Sequence, residues 1–524
     1  MTCSKIFSGD LPELTYDILK FLHNDFSTLY SCVLVNRFWC RLAIPLLWED
    51  PFSISIRNYK FIDIYLHNLN DDLKTKLNKY KIFISNILPC WNKLFNYPSF
   101  LKYLNLHEFI ISLHNWFKDN IKAFNPELKF FLRDLSLNST LEFKILVSAS
   151  LIKIFIENEV NLHTLILEID TSIAIHNKYY EQVFKVILQD TNFIKNILNL
   201  NLHTLSDNKN MLIQDHISQI INSHQNLKKI YLSYNTLPLY QSLLLSNDYN
   251  CSNTLNTIIF FHVDFNFLTN NIFDQLNVLE SLHIIDCSND NNIIQIINSS
   301  NKPIKLKSLF ISRIPNIELL ALLLQKSGDY LENCGFHSFD NSSLLLLIDL
   351  FMKYCKNIKF LDCHIYGKQI IYPIFNLIEN NKQYLNYVSI YTLQEGTNLD
   401  IERSSIILQN LGQILPSKLE YLNLALRIKN SNFSVFLENS KNTFINKLLI
   451  MQKGEDDILH CIKKLIMKEK RVNYLAIWNN IFSSGLSHFA HEVKEFKLHN
   501  IKVQSYFDLY LDIRKHDTIK KLII

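Results

Sequence analysis

Two residue pairs begin like a zinc-protease helix, in which histidines four residues apart hold the metal beside a glutamate. These pairs are His107-Glu108 and His491-Glu492, and neither is followed by a histidine at the required spacing. His114 comes seven residues after His107 and would share its helix face, but His107 belongs partly to a predicted strand. We therefore predict no metal site at either pair.

Other catalytic motifs are missing from the sequence. With 8 glycines in 524 residues there is no P-loop and no GxGxxG motif to cradle a phosphate. No GxSxG elbow and no local cysteine-protease motif occurs, and the carboxylates form no recognisable pair. The sequence predicts a protein that is not an enzyme, with no catalytic residues and no cofactor.

Composition places the chain among folded proteins. Hydrophobic residues make up 48% and charged residues 19%, which excludes a disordered chain. A net charge of +4 gives no electrostatic footprint for nucleic acid. The 10 cysteines are scattered without a CxxC pair, no apolar run reaches the ~18 residues of a membrane span, and no secretory signal is visible. We expect a soluble protein, cytoplasmic and/or nuclear, with neither nucleic acid nor membrane as partner.

The main organising signal is a repeat of the form aliphatic-x-x-aliphatic-x-aliphatic. Clear examples are Leu279-ES-Leu282-H-Ile284 and Leu419-EY-Leu422-N-Leu424, and other clear copies start at residues 101, 162, 227 and 472. Successive copies start at residues 279, 306, 331, 358 and 385, so their spacing stays at 25 to 27 residues. Weaker copies start at residues 132, 197, 255, 445, 493 and 519, and two copies place Cys334 and Cys363 at aliphatic positions. This regular spacing predicts a repeat protein.

Each copy alternates as a half-buried strand does, and helix-like stretches lie between copies. Examples of such stretches are residues 318–326, 344–354 and 458–470. One strand and one helix cannot bury their own apolar faces, so the units must stack. The pattern over residues 99–524 resembles the leucine-rich-repeat family, which implies a parallel concave sheet with helices outside. The family's Asn or Cys position is filled in some copies only, so we expect an irregular solenoid.

Residues 10–50 follow a different pattern, which predicts three helices. Pro12 suits the first turn of a helix, and Ser27 is a plausible cap for the second. The third helix is expected from about residue 36 to residue 44, where Pro45 would end it. The stretch reads LPELTYDILKFLHNDFSTLYSCVLVNRFWCRLAIPLLWED.

This stretch closely resembles an F-box, particularly fungal examples. The matching positions are Leu11-Pro12, Ile18-Leu19 and the run from Val35 to Trp39, while Phe26 stands where many members have Leu. The resemblance implies binding to a Skp-type adaptor and, through it, to a cullin–RING ubiquitin ligase. The predicted adaptor-binding residues are Leu11, Pro12, Leu14, Ile18, Leu19, Leu22, Leu29, Val33, Val35, Trp39, Leu47 and Trp48.

Forty residues cannot bury so many large apolar side chains among themselves, so some must contact a partner or the repeats. The alternative interpretation is that they only cap the first repeat. The predicted domains are an F-box at 8–50, a helical connector at 51–98 and leucine-rich repeats at 99–524. The connector has no Pro/Gly/Ser-rich tract, which favours a rigid connection.

A client is expected on the concave face, where residues between the buried aliphatics point. Stacked strands lie about 4.8 Å apart, so Phe360, Tyr387 and Tyr421 should form an aromatic column. Aromatic residues are enriched at binding hot spots. The predicted client-binding residues are Phe360, Tyr387, Tyr391, Tyr421, Tyr474 and Trp478. The alternative is that these rings pack on each other and on neighbouring loops.

The leading functional prediction is the substrate-recognition subunit of a ubiquitin ligase of the Skp–cullin–F-box type. The client itself is not specified by the sequence. The alternative is a leucine-rich-repeat scaffold or interaction protein that acts outside a ligase.

Overall fold

The structure is a computed structural model. It describes residues 12–22, 25–53, 59–69, 71–78, 94–123, 137–169, 174–204, 211–233, 251–267, 276–299, 305–312, 316–336, 340–392, 398–452, 456–479, 484–488 and 490–511. The chain divides into two compact units, Met1–Leu255 and Asn256–Ile524. The predicted domains 8–50 and 51–98 and the start of the repeats all belong to the first unit.

The first unit begins with helices and continues as alternating strands and helices. Its helices are α1 (Pro12–Lys20), α2 (Phe26–Val33), α3 (Arg37–Leu47), α4 (Phe61–Leu66), α5 (Asp71–Asn78), α6 (Leu106–Ala123), α7 (Leu137–Glu157), α8 (Ala174–Gln189), α9 (Asn192–Lys195) and α10 (Met211–Asn222). Its strands are β1 (Tyr103–Asn105), β2 (Thr164–Ile169), β3 (Asn199–Thr204) and β4 (Lys229–Ser233). One or two helices follow each of the first three strands, as a repeat of strand and helix requires.

The four strands of the first unit pair in chain order, and every pairing is parallel. Their register places the same position of the aliphatic template side by side in successive strands. This ladder consists of Leu104, Leu165, Leu200 and Ile230. All four side chains are buried, so the repeat read from the sequence is the core of this unit.

The second unit continues the same alternation. Its first strands are β5 (Thr257–Phe261), β6 (Ser281–Ile285), β7 (Ser308–Ile311), β8 (Asn333–Phe336), β9 (Phe360–His364) and β10 (Tyr387–Tyr391). They are followed by β11 (Lys418–Leu426), β12 (Phe444–Gln452), β13 (Val472–Asn479), β14 (Ser484–Gly485) and β15 (Lys502–Val503). Its helices are α11 (Asp290–Ser299), α12 (Ile317–Ser327), α13 (Asn341–Tyr354), α14 (Ile371–Asn380), α15 (Asn398–Ile414), α16 (Asn430–Asn439), α17 (Leu459–Glu469), α18 (Ala490–Leu498) and α19 (Tyr506–Leu509).

From β5 to β13 the strands are parallel and pair in chain order, and α11 to α17 pack on one another in the same order. The predicted α/β architecture, with a parallel sheet and a helix after most strands, is confirmed. One buried side chain from each strand joins the aliphatic ladder, which runs Ile258, Leu282, Leu309, Cys334, Leu361, Val388, Leu422, Leu448 and Leu475.

The two cysteines predicted at aliphatic positions are part of this core. Cys334 and Cys363 are fully buried, and burial raises the pKa of both thiols well above its ordinary value. A thiol that stays protonated behaves as a small apolar side chain. These residues therefore fill the core as aliphatic residues would.

The end of the second unit differs from the prediction. The copy expected at Val493 lies inside α18, so it is helical and not a strand, while the copies expected at residues 132 and 519 lie outside the described residues. β13 instead pairs with β14 in antiparallel fashion and with β15 in parallel fashion. These two short strands cover the edge that another full repeat was expected to cover.

Among the helices of the described ranges, none has both the length and the apolar character that crossing a bilayer requires.

Candidate protein-interaction sites

The first candidate site is the N-terminal helical module, defined as residues 12–48 with helices α1 to α3. Each helix start has a local cause. α1 begins with Pro12 and carries Glu13 in its first turn, where a negative charge is favourable. α2 is capped by Asp25, whose carboxylate accepts a hydrogen bond from the Thr28 backbone N–H at 3.0 Å. The predicted cap, Ser27, is instead inside the helix.

The third helix of the module extends further than predicted. Asn36 caps it, since its Oδ1 accepts a hydrogen bond from the Trp39 N–H at 2.9 Å. Pro45 was expected to end the helix, but the helix continues to Leu47. Proline removes one backbone donor, and here that loss falls in the last turn, where the Trp48 N–H bonds to the carbonyls of Ile44 and Pro45.

The module has a core of its own. Its buried residues are Leu19, Leu29, Cys32, Trp39, Ala43 and Leu46, and Tyr16, Leu22, Val33, Phe38, Leu42 and Leu47 pack partly buried against them. This corrects the prediction for Leu19, Leu29 and Trp39, whose side chains face the module interior and cannot offer a surface to an adaptor. The same core is contacted by the partly buried side chains of Leu22, Val33 and Leu47.

Trp48 has a different role from the predicted adaptor contact. Its ring packs edge-on against Tyr65, with 5.3 Å between centroids, and in a tilted arrangement against Tyr97, with 4.4 Å between centroids. Next to it, the buried Glu49 carboxylate forms an ion pair with Lys102, and its carbonyl accepts hydrogen bonds from the backbone of residues 102 and 103. Trp48 and Glu49 therefore fix the module to the start of the first repeat.

The described part of the predicted connector is equally well anchored. The Trp116 indole N–H donates to the Asp63 carboxylate at 2.7 Å, and the Asn115 amide donates to the Tyr59 hydroxyl at 3.0 Å. Both donors lie on α6. These contacts join residues 59–63 directly to the helix that follows β1.

Several apolar side chains of the module remain exposed. Of the predicted adaptor-binding residues, Pro12, Leu14, Ile18 and Val35 are exposed, with Leu14 at 47% and Val35 at 53%. Leu11 lies outside the described residues. We call the exposed set the module surface, and it also includes three residues that were not predicted, Phe21, Tyr30 and Leu34.

Spacing along the helices explains these three additions. Leu14, Ile18 and Phe21 follow one another at intervals of four and three, which places them on one face of α1 and its end. Tyr30 and Leu34 are four apart in the same way. Phe21 is 91% exposed and Leu34 is 72% exposed, so these large apolar groups contribute little to the module's own core.

The second candidate site is a face of the sheet in the second unit. Along each strand, the side chains of the aliphatic ladder point to one side of the sheet, and the residues that alternate with them point to the other side. We call this other side the open face. From β9 to β13 the strand registers arrange them in three rows. The first row is Phe360, Tyr387, Tyr421, Lys447 and Tyr474; the second is Asp362, Ser389, Asn423, Leu449 and Ala476; the third is His364, Tyr391, Ala425, Met451 and Trp478.

The predicted aromatic column exists in the first row. Ring centroids are 5.9 Å apart between Phe360 and Tyr387 and 6.1 Å apart between Tyr387 and Tyr421. Phe310 extends the column, since its ring lies 5.8 Å from Phe360. Gly335 makes this possible, because a Cβ at that position would lie only 2.5 Å from the Phe310 ring.

The column is covered by the end of the described chain, which the prediction did not include. Residues 505–511, which we call the strap, follow β15 and lie on the open face. Tyr506 packs with Tyr421, Leu449 and Ala476, and the partly buried residues around this cluster include Leu509, Tyr510 and Leu511. Phe507 packs on Trp478 with 4.9 Å between ring centroids.

A buried hydrogen-bond network joins the strap to the sheet. The Asn423 amide nitrogen donates to the Ser389 hydroxyl at 3.0 Å and to the Tyr391 hydroxyl at 2.8 Å. Its carbonyl oxygen accepts from the Tyr506 hydroxyl at 2.9 Å. The Leu511 backbone N–H donates to the Tyr421 hydroxyl at 3.2 Å. Both the amide of Asn423 and the hydroxyl of Tyr421 thus engage the strap.

These contacts bury much of the predicted client-binding surface beneath the strap. Phe360, Tyr421 and Tyr391 are buried, because the strap and the neighbouring rings cover them. Tyr387, Tyr474 and Trp478 are partly buried. The observed arrangement is therefore close to the alternative in which the rings pack on each other, except that the cover is the strap and not a loop between repeats.

Burial also raises the pKa of three tyrosines at the contact between the strap and the open face. Desolvation raises the pKa of Tyr421 and Tyr506, and desolvation with the nearby Asp362 carboxylate raises that of Tyr391. All three hydroxyls are protonated at neutral pH, as an ordinary tyrosine is, and can donate hydrogen bonds.

Residues considered for metal chemistry are not brought together. His107 and His114 both lie on α6, and the His114 ring nitrogen is 3.1 Å from the Lys144 ammonium. His491 lies on α18. Within the described ranges, no group of three or more histidines, cysteines and carboxylates has the geometry to hold a metal ion.

Comparisons with known proteins give little beyond the geometry. No family model matches the chain, and no curated protein matches it. Among solved structures, it is similar to the crystal structure of the leucine-rich repeat-containing protein LegL7 from Legionella pneumophila. The identity is 12%, the match covers 67% of this chain and 93% of that chain, and the TM-score is 0.31. At this score the overlay adds nothing to the fold assignment, which rests on the strand registers.

Proposed function

We propose that the chain is a non-catalytic interaction protein that connects a client to a ubiquitin ligase. Its N-terminal module would bind a Skp-type adaptor of a cullin–RING ligase, as its resemblance to an F-box implies. The repeats of the second unit would hold the client. Ubiquitin transfer would be performed by other subunits, so the chain itself needs no catalytic residues.

The observation that carries this proposal is the module surface. The module seals six residues in its own core and fastens itself to the first repeat through Trp48 and Glu49. Neither packing uses the exposed side chains of Leu14, Ile18 and Phe21. A cluster of large apolar groups left in water on a folded module is typical of a protein–protein contact. The F-box resemblance covers this stretch and supports an adaptor as the partner.

The test is co-purification of the tagged full chain with adaptor and cullin from cells. Leu14→Ser combined with Ile18→Ser should abolish both associations, because it removes apolar contact area while leaving the module core intact. Leu322→Ser with Leu346→Ser is a matched control, since these leucines lie on α12 and α13 at 49% and 50% exposure. The control should retain both partners.

Two results would change the assignment. Retention of adaptor and cullin by the Leu14 and Ile18 variant would show that the module surface does not mediate docking. Retention of the adaptor without cullin in the unsubstituted chain would favour a scaffold that acts outside a ligase.

A further inference from the structure

The strap has the features of a bound peptide. It begins after β15, forms one short helical turn from Tyr506 to Leu509, and packs on the aromatic column through Leu511, the last described residue. Within the described residues its backbone adds no strand to the sheet, and the hydrogen bonds of Leu509 and Tyr510 N–H groups stay inside the strap. Its attachment to the open face is therefore mainly through side chains.

We propose that the open face of β10 to β13 is a binding site for a tyrosine-bearing peptide of a client, and that the strap is an internal occupant of this site. This inference deepens the proposed function, on whose client-binding half it rests. The strap then shows which chemistry the site recognises, and a client must displace it.

Tyrosine is specified at the first position by Asn423. The Tyr506 ring is buried, and its hydroxyl meets the one oxygen of an amide whose nitrogen is already held by Ser389 and Tyr391. This fixes the amide with its oxygen towards the strap. A phenylalanine at the same place would fill the space but would leave that oxygen without its donor.

The second requirement is an apolar residue five positions later. Leu511 packs on the cluster formed by Ile285, Phe310 and Phe360, and its backbone N–H is bonded to the Tyr421 hydroxyl. Between these anchors, Phe507 and Asp508 are exposed, so their identity is less constrained. The recognised pattern is therefore tyrosine, two weakly constrained positions, an aliphatic residue such as Leu509, an aromatic residue such as Tyr510, and a second aliphatic residue.

An attached occupant competes with a client through its high local concentration. A tethered segment acts at an effective concentration in the millimolar range. A free peptide of the same sequence should therefore bind the unaltered chain weakly, and weakening the strap should increase its binding. A strap that is a permanent part of the core would show neither behaviour.

The experiment measures fluorescence anisotropy of a labelled peptide with the sequence of residues 504–511, QSYFDLYL. It is titrated with the purified full chain, with the full-chain variant Tyr506→Ala plus Leu511→Ala, and with the control Asp508→Ala, whose side chain is exposed. Thermal unfolding establishes that each variant is folded. We expect at least tenfold tighter peptide binding by the double variant than by the unaltered chain, and no change for the control.

Two further arms test specificity. A peptide with phenylalanine in place of Tyr506 should bind the double variant about tenfold more weakly. Adding Asn423→Ala to the double variant should remove the difference between the two peptides, since the oxygen that distinguishes them is gone.

Equal peptide binding by the unaltered chain and the folded double variant would overturn the proposal. Loss of the folded state in the double variant would also overturn it, because the strap would then be a fixed part of the core. The assay contains only the chain and the peptide, so its outcome is independent of adaptor docking. Failure of the adaptor experiment would leave this result standing, and the reverse also holds.

Discussion

At the scale of single residues, Asn423 links the strap to the open face. An amide has one acceptor and one donor group, and both are occupied in a buried position between β10, β11 and the strap. The aromatic column of Phe360, Tyr387 and Tyr421 could be predicted from the sequence, because these residues take the same position between the aliphatic residues of each copy. The Asn423 network could not, because its partner Tyr506 is 83 residues away and outside the repeat.

Tyr506→Phe should destabilise the second unit by about 1–2 kcal/mol. The substitution keeps the ring but removes the donor to Asn423, and a buried acceptor left without a partner costs about this much. Urea unfolding of the purified chain measures the change. Tyr372→Phe is the control, since Tyr372 is exposed on α14 and its substitution should change stability by less than about 0.5 kcal/mol. Equal effects at both positions would contradict the buried hydrogen bond.

Gly335→Ala should destabilise the second unit by about 1–3 kcal/mol, because the added methyl group would overlap the Phe310 ring. Phe310→Leu in the same chain should remove part of this cost, since the smaller leucine side chain would not extend over residue 335 and would leave room for the methyl group. A double-mutant cycle in urea measures the coupling. Additive effects of the two substitutions would show that the ring and the glycine do not depend on each other.

At the scale of elements, the sequence predicted the strands better than it predicted where helices begin and end, or how the series of repeats ends. The aliphatic template located the described strands from β1 to β13, because one position of it forms the buried ladder in every strand. It was wrong at Val493, where aliphatic spacing alone does not distinguish a strand from the helix α18. The position of Asp25 before α2 and the tolerance of Pro45 in the last turn of α3 depend on backbone geometry that spacing does not encode.

The loop between α10 and β4 should make the first unit sensitive to acid. His224 is buried there, and desolvation lowers its pKa to about 4, against a smaller opposing effect of the hydrogen bond from its Nδ1 to the Ile194 carbonyl. In the unfolded chain the pKa of His224 is near 6.5, so between pH 4 and pH 6.5 the unfolded state binds more protons than the folded state. The stability that neutral His224 contributes to the folded state is fully present above about pH 6.5, and it is lost as the pH falls towards 4.

Lowering the pH from 7.5 to 5 should therefore reduce the stability of the first unit by about 2 kcal/mol through His224. The measurement is urea unfolding at both pH values with the unsubstituted chain and with His224→Gln. The variant should lose this part of the pH dependence even though it is less stable at neutral pH. If the free energy of unfolding of the variant fell by the same amount between pH 7.5 and pH 5, another group would cause the acid sensitivity.

At the scale of the whole molecule, the two candidate sites belong to different compact units. The module surface could be predicted in part, because helical spacing puts apolar residues on one face. The sequence could not predict which of these residues are buried. Leu14 and Leu19 are both leucines, and only the packing of α3 against α1 and α2 distinguishes them. The strap was beyond prediction, because its residues carry no repeat and its contacts are made to strands far back in the chain.

This separation predicts that the two binding activities can be removed one at a time. Leu14→Ser with Ile18→Ser should abolish adaptor binding and leave peptide binding by the strap-weakened chain unchanged. Asn423→Ala should do the opposite, since it weakens recognition of the tyrosine peptide without touching the module surface. Both activities are measured on the same purified proteins, by adaptor pull-down and by fluorescence anisotropy. If either substitution reduced both activities while the chain stayed folded, the two surfaces would be coupled, and a client could then control adaptor docking through the state of the strap.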